Sequence, residues 1–249
     1  MKIIRRNIVL AIIVVLIVTC GWKGVKALNS KSVVVSQQSD LSDRRKSRGS
    51  AIDDDDSIIE LDRETVLIVN RENVLDENYL PENLTAPKTK FIGNGDPNVN
   101  KLEATAAKAL EELFNAAKKD SIYLLGVSGY RDYNYQKNLY NKAVRESGKE
   151  YADKYTAKPG ASGHQTGLVM DILSEDYQTL DDGFDKTDAY KWVEKNCSSY
   201  GFIIRYPKGK ESITGYNYEP WHLRYVGKTV AKEIMGNGIT LEEYVDIYN

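Results

Sequence analysis

The chain has two histidines among its 249 residues, and each stands near a carboxylate. His164 and Asp171 lie in the segment SGHQTGLVMD, and Glu219 and His222 bound EPWH. Zinc takes imidazole nitrogen and carboxylate oxygen as ligands at about 2.0–2.2 Å, and a catalytic zinc uses three protein ligands and keeps one position open. His164, Asp171 and His222 supply three, which leaves Glu219 free as a general base. A bound zinc brings the pKa of water to about 7, and a nearby carboxylate can take the proton and hand it to a leaving amine. The tetrahedral intermediate needs a positive partner, a contribution worth about 3–4 kcal/mol. Arg131, in SGYRDYNYQ, is the candidate. The competing readings are satisfied core or polar histidines, and a surface ion pair for Arg131.

These residues need a scaffold that aims them at one point. Strand alternation on GLVMD puts Gly167, Val169 and Asp171 on one face and Leu168 and Met170 on the other, so Asp171 can face a cleft while its neighbours pack. On a straight strand Glu219 and His222, three apart, face opposite ways. Pro220 fixes its own φ and constrains the residue before it, and a bend there brings the two side chains together. Further strands are expected at TVLIVN, SIYLLGVSGYR and FIIRYP. Leu102, Ala106, Leu110, Leu113 and Ala117 recur at helical spacing. YNYQKNLYNKAVRE forms a second helix, TDAYKWVEKNCSSYG a third that stops at Gly201, and two short helices close the chain. Helices and strands mix without a βαβ rhythm, so the class is α+β with an antiparallel sheet.

The N-terminus carries Lys2, Arg5 and Arg6 and then an apolar run from Ile8 to about Cys20, which reads as an export signal. Cleavage after Ala27, retention as an anchor with Trp22 at the interface, and lipidation at Cys20 all place the rest outside the cytoplasm. Thr19 departs from the small residue that lipidation favours. Residues 1–27 are thus a signal peptide or membrane anchor, 28–62 a polar linker too poor in apolar residues to fold, and 63–249 the catalytic domain. The net charge of −2 gives no field for nucleic acid. Seventeen tyrosines against four phenylalanines suit half-buried strand positions or a cleft that binds something polar. Cys197, the one cysteine after Cys20, has no partner for an internal disulfide and falls with Tyr190 and Val193 on one helix face, as a core residue. Ser-x-x-Lys, Gly-x-Ser-x-Gly and His-Glu-x-x-His are all absent, as is a phosphate-cradling glycine loop.

At these residues the chain resembles the VanY-type zinc D-alanyl-D-alanine carboxypeptidases. SGHQTGLVMD is similar to their Ser-x-His-x-x-Gly-x-Ala-x-Asp signature, EPWHLRYVG to their Glu-x-x-His segment, and SGYRDYNYQ to their Ser-x-Tyr-Arg-x-x-x-x-Gln region. The resemblance runs from about Val69 to the C-terminus, with three separated motifs in the right order. It implies a LAS-type α+β fold with a central antiparallel sheet flanked by helices. It implies one zinc per chain, held by His164, Asp171 and His222, with Glu219 as base. Arg131 would polarise the scissile carbonyl or hold the substrate carboxylate, and Ser162 and Gln136 would line the terminal D-alanine site. The implied substrates are peptidoglycan stem peptides or precursors ending in D-alanine, whose trimming lowers affinity for glycopeptide antibiotics. An L,D-carboxypeptidase acting on stem tetrapeptides uses the same residues. A non-catalytic wall-binding module would lack a ligand or the base, and none is missing. Two departures stand out. Val169 replaces the signature's alanine on the expected site-facing side of the strand, and Asp132 stands where many members have serine.

Overall fold

The computed structural model describes residues 65–93 and 96–248. The export segment and linker expected over residues 1–62 lie outside the described residues. Two short strands, β1 (Leu84–Thr85) and β2 (Leu102–Glu103), pair antiparallel. The chain then enters α1 (Ala104–Lys119), whose first turn is capped by the Glu103 carboxylate accepting from the Thr105 and Ala106 amides. Leu102, Ala106, Leu110, Leu113 and Ala117 are all buried, as their spacing requires. Next come β3 (Leu124–Ser128), α2 (Tyr133–Ser147), α3 (Lys149–Tyr155), β4 (Val169–Ser174) and α4 (Asp188–Asn196). They are followed by β5 (Phe202–Tyr206), α5 (Glu211–Thr214), β6 (Glu219–Tyr225), α6 (Lys228–Asn237) and α7 (Leu241–Tyr248). The expected third helix becomes α4 plus a 3-10 turn at Cys197–Tyr200, ended by Gly201 in the left-handed region.

The main sheet runs β3-β4-β6-β5, antiparallel throughout, which is the expected α+β class. Its two central strands sort their side chains by face. Met170 and Ile172 of β4 and Leu223 and Tyr225 of β6 pack with Phe202 and Ile204 of β5 against α1 and α4. Cys197 is wholly buried there, and burial pushes its thiol up to about 12, so it is a core residue as expected. The other face carries Asp171, His222, Arg205 and Arg224, all buried and all polar. Beside them Ile203 joins Val226, Val230, Ile234 and Leu241 in a smaller core under α6 and α7.

TVLIVN is not a strand, contrary to its β-branched composition. Val69 is buried, and Val66 and Ile68 pack against the smaller core, so the apolar pattern is used. The carbonyls of Thr65 and Leu67 both accept hydrogen bonds from the Arg224 guanidinium, at 3.1 and 2.9 Å. A side chain therefore satisfies carbonyls that a sheet ladder would otherwise have taken.

Candidate metal centre and substrate cavity

β4 and β6 place the ligands. Asp171 and His222 are direct cross-strand partners at the centre of the sheet. Both neighbouring pairings slip beside this point. The β3–β4 register shifts between Gly126 and Ser128, and the β5–β6 register shifts between Ile204 and Tyr206, opposite Glu219–Leu223. Such irregularities re-aim side chains next to functional sites. The second one is the bend expected at Pro220. It brings Glu219 Oε2 within 3.1 Å of His222 Nδ1.

His164 is carried by a 3-10 turn, Gly163–Thr166, rather than by the strand end that the segment's pattern suggested. Gly167 follows with φ 71°, and a Cβ there would meet Leu84 Cδ2 at 3.0 Å and the Glu103 amide nitrogen at 3.2 Å. Glycine is needed on both counts, and it turns the chain into β4. The imidazole is oriented from behind: Nδ1 lies 2.7 Å from the Gly129 carbonyl. A carbonyl only accepts, so Nδ1 carries the hydrogen and the Nε2 lone pair faces the site. Val169 does not line the cavity, against the expectation that it faces the site. It is buried, and its Cγ2 lies 3.3 Å from where a Cβ on Gly163 would stand, so it packs beneath the turn that holds His164.

The three ligand residues are each at most 5% exposed, and their donor atoms lie within 4.8 Å of one another. His164 Nε2 is 3.4 Å from Asp171 Oδ2, and His222 Nδ1 is 3.1 Å from Asp171 Oδ1. Ligands about 2.0–2.1 Å from a tetrahedral ion stand roughly 3.3 Å apart, so these spacings fit one. Asp171 Oδ1 meets no donor in hydrogen-bonding geometry despite its burial, and His222 Nε2 has no partner among the described residues. A buried carboxylate oxygen left over in this way suits a cation. Burial works against the Asp171 charge, but His164, the contact with His222 and Arg131 outweigh it and hold the carboxyl at about 2. Burial, then the Arg131 charge, lowers His164 well below the usual imidazole range. For His222 burial also opposes protonation, but Asp171 and Glu219 prevail and raise it. The three groups are thus an anionic carboxylate between imidazoles of opposite tendency.

All seven expected residues line one cavity of about 340 Å³: Arg131, Gln136, Ser162, His164, Asp171, Glu219 and His222. Arg131 Nη1 donates to Ser128 Oγ at 3.2 Å and lies 3.9 Å from Asp171 Oδ2. Burial lowers its guanidinium, and the Asp171 and Glu219 charges act against that. Gln136 is buried, donates from Nε2 to the Ala157 carbonyl at 2.7 Å, and keeps Oε1 unpartnered among the described residues. Ser162 is buried just before the turn that carries His164. Asp132 has a structural job: it caps α2 by accepting from the Tyr135 amide at 2.6 Å. Serine caps helices in the same way, so the departure at Asp132 keeps the capping role. The same cavity is lined by Tyr206, Tyr216 and Trp221, which sequence reasoning missed. The signal for Tyr206 was its place at the end of FIIRYP, between Arg205 and Pro207.

Residues 99–228 match the family model described as VanY: D-alanyl-D-alanine carboxypeptidase. The chain belongs to the VanY family. Among VanY relatives, the putative carboxypeptidase YodJ of Bacillus subtilis is 47% identical over 180 residues, which cover 72% of this chain and 66% of that protein's length. The solved L,D-carboxypeptidase LdcB superposes with a TM-score of 0.70 at 46% identity, over 74% of this chain and 86% of that one. A mutant of the vancomycin resistance D,D-pentapeptidase VanY from the VanB-type cassette, solved with Zn(II), superposes with a TM-score of 0.61 at 33% identity, over 73% and 99% of the two chains. The α+β fold and the metallocarboxypeptidase class of the VanY family are therefore those of this chain.

Proposed function

We propose that this protein is a zinc-dependent D-alanyl-D-alanine carboxypeptidase that removes the terminal D-alanine from peptidoglycan stem pentapeptides or their precursors. The observation that carries this reading is the convergence of the His164–Asp171–His222 triad with Glu219 and Arg131 in one cavity. His164 Nε2, an Asp171 oxygen and His222 Nδ1 would hold the ion, and the Gly129 carbonyl fixes the first imidazole in the tautomer that can ligate. When bound, zinc supplies Lewis acidity toward a carbonyl oxygen and acidifies water to a pKa of about 7. Glu219 takes the water proton at Oε2 and returns it to the leaving amine of D-alanine. Arg131 presents its buried guanidinium to the substrate's oxygens. Ser162 and Gln136 face the terminal residue, and the free Oε1 of Gln136 is an acceptor available to it. The protein acts outside the cytoplasm, delivered by the N-terminal segment as a cleaved signal or as a membrane anchor, with residues 28–62 as its tether.

The test is release of D-alanine from a pentapeptide ending in D-Ala-D-Ala by zinc-loaded protein. Glu219→Ala is expected to lower kcat by about 10²–10⁴-fold while retaining zinc, the range for loss of a general base. No release, or a variant as active as the parent, would overturn the reading. The 46% identity to LdcB favours a second reading, an L,D-carboxypeptidase acting on stem tetrapeptides. Digesting the pentapeptide and the tetrapeptide side by side decides between them.

A further inference from the structure

We propose that Arg71 is a positioning residue: it fixes the Tyr216 ring as the partition between the catalytic cavity and a second cavity, and so sets which penultimate residue of a stem peptide is accepted. This rests on the carboxypeptidase reading above. The second cavity, of about 300 Å³, is lined by charged side chains that include Arg71, Glu150, Lys154 and Glu211, and the one residue it shares with the catalytic cavity is Tyr216. Tyr216 stands in the link between α5 and β6 and is 9% exposed. Its ring centroid lies 4.9 Å from that of Tyr206, which lines the catalytic cavity alone. It lies 5.3 Å from the guanidinium carbon of Arg71, which lines the second cavity alone. The wall between the two is therefore one ring thick. The Tyr216 hydroxyl donates to the Ala161 carbonyl at 2.9 Å, beside Ser162. Arg71 comes from the segment ahead of β1, and its Nη2 donates to the Asp153 carbonyl of α3 at 2.9 Å. Anchored there, it presents its charge to the face of the ring, whose quadrupole attracts a cation.

The partition matters because the two stem substrates differ at the position it faces. Ser162 and Gln136 take the terminal residue, which leaves Tyr206, Tyr216 and Trp221 as the wall for the penultimate one. In a pentapeptide ending in D-Ala-D-Ala the penultimate side chain is a methyl group. In a tetrapeptide the penultimate residue is the third of the stem, a diamino acid whose long side chain carries an amine. With the Tyr216 ring fixed, the methyl fits and the long side chain meets the ring. With the ring free to turn, that side chain reaches the second cavity, where the Glu150 and Glu211 carboxylates suit an ammonium group. Arg71 touches no reacting atom, so its effect falls on the choice between substrates and not on the bond cleaved.

D-alanine release from the pentapeptide and the tetrapeptide would be followed with zinc-loaded parent, Arg71→Ala, Arg71→Lys and Tyr216→Ala. The quantity read is the ratio of kcat/KM for the tetrapeptide to that for the pentapeptide. Arg71→Ala is expected to raise this ratio about two- to five-fold, the size of an exposed contact between a cation and a ring. Arg71→Lys keeps the cation and should return the ratio most of the way to the parent's. Tyr216→Ala removes the wall and should raise the ratio by about ten-fold or more, as for a pocket that gains room for a side chain. Arg71 is exposed, so its variants should fold, with the parent's zinc content and Tm, even where Tyr216→Ala does not. A merely structural role would slow both peptides equally, and an unchanged or lower ratio in Arg71→Ala would overturn the proposal. So would a folded Tyr216→Ala with the parent's ratio, an Arg71→Lys that behaves like Arg71→Ala, or loss of zinc from Arg71→Ala. A parent that releases D-alanine from neither peptide overturns the carboxypeptidase reading itself, whereas an active parent whose ratio does not respond overturns the partition alone.

Discussion

The two faces of the main sheet bury side chains equally well and do so for opposite reasons. On one face Met170, Ile172, Leu223 and Ile204 are at most 4% exposed, and each gains simply by leaving water. On the other face Asp171, His222, Arg205 and Arg224 are just as buried, and each needs a partner to offset its lost hydration. Arg205 has one, in a two-point contact to Glu242 at 2.7 and 2.5 Å. Arg224 has backbone carbonyls, those of Thr65, Leu67 and Tyr225. The triad is incomplete: Asp171 Oδ1 has only the 3.1 Å contact with His222 Nδ1, and His222 Nε2 has no hydrogen-bond partner among the described residues. One face carries stability and the other carries polarity, and the Asp171 carboxylate and the His222 ring are the part of it that lines the cavity.

The sharpest way to break this division is to mutate two adjacent residues that point opposite ways. Leu223 is wholly buried in the main core, and Leu223→Ala is expected to cost about 2–5 kcal/mol in urea unfolding, with zinc binding retained in the protein that remains folded. His222→Ala, one residue earlier, is expected to abolish stoichiometric zinc and D-alanine release. Its metal-free stability should fall less than that of Leu223→Ala, since the imidazole it removes leaves Nε2 unpaired. Zinc content by mass spectrometry and unfolding curves on both variants check this. A His222→Ala protein that keeps its zinc, or one less stable than Leu223→Ala, contradicts the division of labour.

The apolar face was the more legible one in sequence, because its rule is periodicity alone. Leu102, Ala106, Leu110, Leu113 and Ala117 predict α1, and alternation along GLVMD predicts which side of β4 is wet. The triad was legible for a different reason: two histidines, each near a carboxylate, leave few other chemistries. What could not be read were contacts made across long stretches of chain. TVLIVN has strand composition, but Arg224, 159 residues beyond Thr65, takes its carbonyls. The site-facing side assigned to Val169 depended on a strand pattern that does not show the His164 turn folding back over it. Tyr206 gave little signal, since a tyrosine at a strand end is ordinary, and only the folded chain shows that it lines the cavity.

The Arg205–Glu242 contact tests the polar face away from the cavity. It joins β5 to α7 across 37 residues, with side chains 3% and 12% exposed. Glu242→Ala leaves a buried guanidinium alone and is expected to lower stability by about 3–5 kcal/mol, the usual penalty for breaking such a pair from one side. The contact also makes stability depend on pH. Burial tends to raise the Glu242 carboxyl, but the Arg205 hydrogen bond and charge prevail and hold it below its ordinary value of 4.5. A carboxyl depressed in the folded state contributes fully above its unfolded value and loses that contribution as pH falls through the folded one. Parent and Glu242→Gln should therefore differ most near neutrality, and in thermal melts the difference should shrink only once pH falls below 4.5 and through the depressed folded value. A difference that stays constant with pH would mean that Glu242 contributes shape and not charge.

The smallest expected effect concerns Asp132, which joins the two regions by starting α2 directly after Arg131. Its carboxylate caps the helix through the Tyr135 amide, and no ligand or substrate role is needed to explain it. Asp132→Ser keeps a capping oxygen and is expected to change stability by no more than about 0.5 kcal/mol, whereas Asp132→Ala should cost about 1 kcal/mol. Both should leave kcat near that of the parent, because Gln136 and Arg131 are anchored independently by the Ala157 carbonyl and Ser128. A large fall in kcat for Asp132→Ser at unchanged stability would mean that the start of α2 positions Arg131 and belongs to the cavity, and the boundary between the two regions would then move by one residue.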